Sequence, residues 1–78
     1  RLHRSVLAYI IEREGATDEQ IQLGLGLNPS TERPRRIELV RKGLVKDSGE
    51  TAKTRTNRPA TIWIRTMKAV AIVEAWEG

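Results

Sequence analysis

Apolar residues near the start of the chain recur at helical spacing. Val6, Leu7, Ile10 and Ile11 make one stripe, with Arg4, Glu12 and Arg13 outside it. The spacing predicts a helix from about Leu2 to Glu14, ended by Gly15. Thr17-Asp18-Glu19-Gln20 follows as a capping box, in which the Thr17 hydroxyl accepts from a backbone N–H one turn on and Gln20 reaches back to the cap. In the second helix Ile21 and Leu25 share a face, and Leu23 and Leu27 are expected to complete the seal against the first helix. Gly24 costs a helix interior about 1 kcal/mol relative to Ala, so it marks either a close helix crossing or an unselected weak spot.

The second helix should stop at Leu25, because Gly26 can take a positive φ and Leu27 can fold back onto the apolar face. Asn28-Pro29-Ser30-Thr31 opens a third helix, and Gly43 ends it. Pro34 sets a local conflict. A cap at Asn28 places this proline about two turns in, where it removes a backbone hydrogen bond; a cap at Ser30 or Thr31 places it near the first turn, where it is tolerated. The later cap is therefore expected, with Asn28 and Pro29 in the turn. Two core faces compete in this helix: Leu39, Val40 and Gly43 over the stem of Arg36, or Ile37, Val40 and Leu44 over the stem of Arg33.

After Gly43 the pattern changes to that of strands. Leu44 to Ser48 is short and β-compatible, and Ala60 to Thr66 alternates, with Ala60, Ile62 and Ile64 on one side and Trp63 on the other. The two should pair as an antiparallel hairpin. Its connection, Gly49 to Pro59, carries Lys53, Arg55 and Arg58, with Thr56-Asn57 at the tip and Pro59 at an edge. Met67 to Trp76 then reads as a last helix, with Ala69, Ile72, Val73 and Trp76 in one stripe that Met67, Val70 and Ala71 broaden. That stripe either covers the first helix and Trp63 or forms a dimer interface.

A chain of 78 residues buries only about 60% of the surface its unfolded form exposes, so a single domain with one modest core is expected over 1–78. There is no cysteine, which removes disulfides and thiolate metal sites. No run approaches the roughly 20 apolar residues of a membrane span, and the expectation is a soluble, cytoplasmic protein. The net charge of +4 is unevenly spread. From Arg33 to Arg58 nine basic residues face three acidic ones, hence +6, whereas the remainder holds five basic and seven acidic, hence −2. Concentrated positive charge is the footprint of a face that binds a polyanion; the plainer alternative is a solvated charged surface.

Catalysis finds no support in the sequence. No HExxH, phosphate-cradling glycine loop, Ser-His-Asp arrangement or metal cluster is present, and no cofactor is expected. His3, the only histidine, reads as a packing residue rather than a catalyst.

Helix, glycine turn, small polar cap, arginine-rich helix and the Gly43-Leu44-Val45 exit resemble the helix-turn-helix core of winged-helix DNA-binding domains, including regulators of the MarR type. The order of three helices and a basic hairpin extends the resemblance over residues 2 to 66. The segment TERPRRIELVRKGLVKDSGETAKTRTNRPATIW is also similar to small winged-helix proteins of actinobacterial phages, which often have Gly at the tip position held here by Asn57. The resemblance implies a mainly α fold with a β-hairpin: helix-turn-helix over 17–43, wing over 44–66 and C-terminal helix over 67–77. It favours the Leu39 face as the core side of the third helix, which leaves Ile37 partly exposed.

What the resemblance implies for function is a double-stranded DNA-binding regulator of transcription or of a phage. The third helix would enter the major groove, where Arg33 and Arg35 can pair with guanine edges and Ser30 and Thr31 can donate hydroxyls. Arg36 would pack its stem and reach only a phosphate, while Arg41, Lys42 and Lys46 stay solvated. Lys53, Arg55 and Arg58 of the wing would contact the backbone or minor groove. A homodimer through the last helix is one expected assembly; no membrane or small-molecule partner is. A protein-binding winged helix, docking through Trp63 and Ile37, is the alternative.

Overall fold

The computed structural model describes the backbone of residues 2–77 and the side chains of residues 3–72. Helix α1 spans Leu2–Arg13 and buries Val6, Leu7 and Ile10 completely, with Ile11 packed beside them. His3 does more than pack: its Nε2 lies 3.0 Å from Glu38 Oε1, and this contact holds the Glu38 carboxyl below the usual carboxylate range. Helix α2, Asp18–Leu25, opens on the expected capping box, with Gln20 N–H donating to Thr17 Oγ1 at 3.2 Å and Thr17 N–H donating to Gln20 Oε1 at 3.0 Å. It ends at Gly26, where φ is 66° and Leu27 N–H closes the turn on the Gln22 carbonyl at 2.9 Å.

Gly24 resolves as a close crossing. A Cβ there would stand 2.2 Å from the Tyr9 ring, so the missing side chain is what lets α1 and α2 meet. Leu25 and Leu27 pack against the core, but Leu23 does not join them; it is 61% exposed.

Helix α3 runs Pro29–Arg41 and corrects the expected cap. Asn28, not Ser30 or Thr31, is the N-cap: its Oδ1 accepts from Thr31 N–H at 2.8 Å and from Ser30 Oγ at 2.9 Å, and Pro29 occupies the first helical position. Pro34 therefore lies inside the helix. The carbonyl that it leaves without an intrahelical donor belongs to Ser30, and both residues are exposed, so water can supply the missing bond. The core face is the Leu39 face, with Leu39 1% and Ile37 40% exposed. Gly43, at φ 75°, turns the chain, and Leu44 N–H bonds the Leu39 carbonyl at 3.0 Å.

Strands β1, Val45–Lys53, and β2, Pro59–Arg65, form the antiparallel hairpin. β1 is longer than its sequence pattern predicts. An irregularity between Asp47 and Thr51 lets it continue past Gly49, and the register resumes at Thr51↔Thr61 through Lys53↔Pro59. Only residues 54–58 remain as the connection, with Asn57 at φ 62°. On the other side of β2, Ala16 and Trp63 exchange backbone hydrogen bonds of 3.0 and 2.9 Å, which docks the sheet on the linker between α1 and α2.

Helix α4, Met67–Glu77, starts at a junction with the end of α3. Thr66 Oγ1 donates to the Gly43 carbonyl at 2.6 Å, and Lys68 Nζ to the Lys42 carbonyl at 3.1 Å. Ala69 is fully buried and Ile72 packs on the core, whereas Met67 is 79% exposed. The expected stripe positions Val73 and Trp76 lie outside the described side chains.

Candidate nucleic-acid interface

Helix α3 divides into two faces at helical spacing. Ser30, Arg33, Pro34, Ile37 and Arg41 are exposed on one; Glu32 and Leu39 are buried on the other, with Arg36 between them at i+4. Thr31 and Arg35 lie half-buried on the flanks, and Arg35 Nε is out of solvent without a hydrogen-bond partner among the described residues. The positions expected to reach DNA thus have different settings. Arg33 makes no ion pair among the described residues, and neither do Lys53, Arg55 or Arg58, all exposed on the hairpin.

Arg36 is engaged within the protein. Its Nε and Nη2 donate to the two carboxylate oxygens of Asp18, each at 2.9 Å, and its guanidinium carbon stands 4.2 Å from the centre of the Trp63 ring. The fork and the flat face of one guanidinium are therefore both used, which joins α3 to α2 and to β2. Trp63, expected either as an exposed docking residue or as one covered by the last helix, is half-buried and lies beneath this arginine.

Glu32 is the residue that sequence reasoning missed. It is 0% exposed; Oε1 accepts from Gln22 Nε2 at 3.0 Å, while Oε2 has no partner among the described residues. Burial pushes its carboxyl up to about 7, and the neighbouring Asp18 carboxylate adds to this, against the opposing hydrogen bond from Gln22 and the charge of Arg36. Its spacing to Arg36 and Leu39, at i+4 and i+7, was the available signal. A glutamate at a core position in an arginine-rich helix is easily set aside as a surface charge.

An open cleft of about 450 Å³ separates α2 and α3 from the hairpin. Asp18, Glu19 and Gln22 line it from α2, Arg33 and Arg36 from α3, and Thr54, Thr56 and Arg58 from the tip of the hairpin. Arg33 and Arg58 thus share one concave surface, although 25 residues of sequence separate them. Lys53 and Arg55 are not among its lining residues. Across the cleft, Glu19 Oε1 accepts the backbone N–H of Arg55 at 3.1 Å. No group of three or more His, Cys, Asp or Glu side chains that could hold a metal occurs among the described residues.

Three helices, a basic hairpin and a following helix in this order settle the architecture. The fold is a winged helix. No protein-family model and no curated protein matches the sequence. Among solved structures, the chain is similar to a transcriptional regulator homologue from Pyrococcus horikoshii, with 27% identity and a TM-score of 0.73 over 94% of this chain and 69% of that one. A variant of ZitR from Lactococcus lactis aligns with 97% of the chain at 18% identity and a TM-score of 0.75. The winged helix described here spans 49% of that ZitR chain.

Proposed function

We propose that the chain binds double-stranded DNA as a regulatory protein, with α3 in the major groove and the hairpin on the backbone or in the minor groove. The observation that carries this reading is the shared cleft: Arg33 from the exposed face of α3 and Arg58 from the hairpin converge on one surface, and neither has a carboxylate partner among the described residues. The likeness to a transcriptional regulator homologue supports a regulatory role. Ser30 and Arg33 lie on the outward face and are assigned to base edges or phosphates. Thr31 and Arg35 approach from the flanks, while Lys53, Arg55 and Arg58 contact phosphates. Arg36 takes a positioning role, since its donors are directed at Asp18. The protein-docking alternative loses its main support, because Trp63 lies under Arg36.

Gel-shift titrations with random and genomic duplexes at several salt concentrations test the proposal. If about six phosphates are neutralised, log K against log[salt] falls with a slope near −5. Binding without salt dependence, or none at low salt, would reject it.

A further inference from the structure

The first turn of α2 holds two consecutive carboxylates, and each is bonded to a different one of the two elements assigned to DNA, α3 and the hairpin. Asp18 binds the Arg36 fork on α3, and Glu19 accepts the backbone N–H of Arg55 at the tip of the hairpin. Glu19 is half-buried and lines the cleft with Thr54, Thr56 and Arg58. The Arg55 amide lies 36 residues along the chain from Glu19, so this bond ties the hairpin tip to the helical body. At its base the hairpin is fixed by the Ala16 and Trp63 backbone bonds. Between these two points stands the cleft shared by Arg33 and Arg58.

We infer that Glu19 is a positioning residue for the wing: its carboxylate fixes the hairpin tip, and with it the spacing between Arg33 and Arg58, without itself contacting DNA. The inference rests on the DNA-binding reading and adds to it which residue sets the geometry of the two contact elements. Chemistry makes the role separable from charge. A carboxylate beside a phosphate-binding surface repels DNA, so its deletion should tighten binding unless the hydrogen bond matters more. Glutamine keeps an oxygen that can accept from Arg55 N–H and loses the charge; alanine loses both.

The test compares wild type, Glu19→Gln and Glu19→Ala, with Glu50→Gln, an exposed acid on β1, as a control for charge alone. Duplex affinity is measured beside amide hydrogen exchange of Arg55 in the free protein. Glu19→Ala should speed Arg55 exchange by roughly two- to tenfold, the range of one net hydrogen bond, and weaken duplex binding by a similar factor. Glu19→Gln should keep Arg55 protected and, like Glu50→Gln, bind at least as tightly as wild type. Unchanged Arg55 exchange in Glu19→Ala overturns the inference, and so does tighter binding by that variant. A wild-type chain that binds no duplex rejects the DNA reading instead, while the exchange data still report whether the tip is latched.

Discussion

The two faces of α3 carry the same residue type in opposite circumstances. Arg33 and Arg36 lie three residues apart, yet Arg36 gives two hydrogen bonds to Asp18 and stacks on Trp63, whereas Arg33 faces an open cleft with no ion pair among the described residues. Sequence spacing sets which face an arginine joins. What that face meets sets its work. On the inner side α2 and β2 supply a carboxylate and an aromatic ring, and the guanidinium becomes a joint between elements. On the outer side Arg33 borders the cleft but has no ion-pair partner among the described residues, so its charge remains available to a ligand.

The sharpest way to break this contrast is Arg36→Ala. Its pair with Asp18 is only 14% and 21% exposed at the two side chains, so truncation leaves a poorly solvated carboxylate next to Glu32. Urea unfolding should show a loss of about 2 kcal/mol, below the range for a fully buried pair because this one is partly exposed. A loss below about 0.5 kcal/mol would place Arg36 with the surface residues.

Glu32→Gln sharpens the inner side through pH. The folded-state value of about 7 lies above the ordinary 4.5 of a glutamate, so between these pH values the native state holds a proton that the unfolded chain has released. Stability from this group is therefore full below about pH 4.5, falls as pH rises to about 7, and stays reduced above that. The amide can still accept from Gln22 and can donate to Asp18. Glu32→Gln should then raise stability at pH 8 by about 2 kcal/mol and flatten the profile between the two values, as followed by thermal melts across pH.

The smallest change in stability is expected from Arg33→Ala, within about 0.5 kcal/mol of wild type. Its effect should appear in DNA discrimination, with about 1 to 3 kcal/mol of preference lost at one or two base pairs and little change on random duplexes. Replacing Lys53, Arg55 and Arg58 together should instead weaken all duplexes alike. Equal losses for Arg33→Ala on preferred and random DNA would mean that the outer face reads no bases.

Much of the fold was legible because its signals are local. The capping box at Thr17 and the left-handed turns at Gly26 and Asn57 each depend on a few neighbouring residues, whereas the periodicity of α3 left two core faces open and the resemblance pointed to that of Leu39. At Asn28 the structure departs from expectation for a physical reason: the hydrogen bond that Pro34 removes lies on the solvent side of α3, where water can replace it. The partners of Glu32, Arg36 and Glu19 were illegible for another reason. Their roles come from partners at Gln22, Asp18, Trp63 and Arg55, and no periodicity reveals which distant side chain will face a given position.

A two-stranded sheet exposes two edges, each a template on which another chain could add a strand. In this hairpin the outer edge of β2 is occupied at Trp63 by the backbone of Ala16. The outer edge of β1 is interrupted between Asp47 and Thr51, and Lys46, Asp47, Glu50 and Lys53 crowd it with charge. The irregularity that lengthens the wing therefore also guards its edge: β1 carries three residues between Asp47 and Thr51 where β2 carries one, and deleting two of them, Ser48 and Gly49, should restore a continuous ladder edge and invite edge-to-edge pairing between molecules.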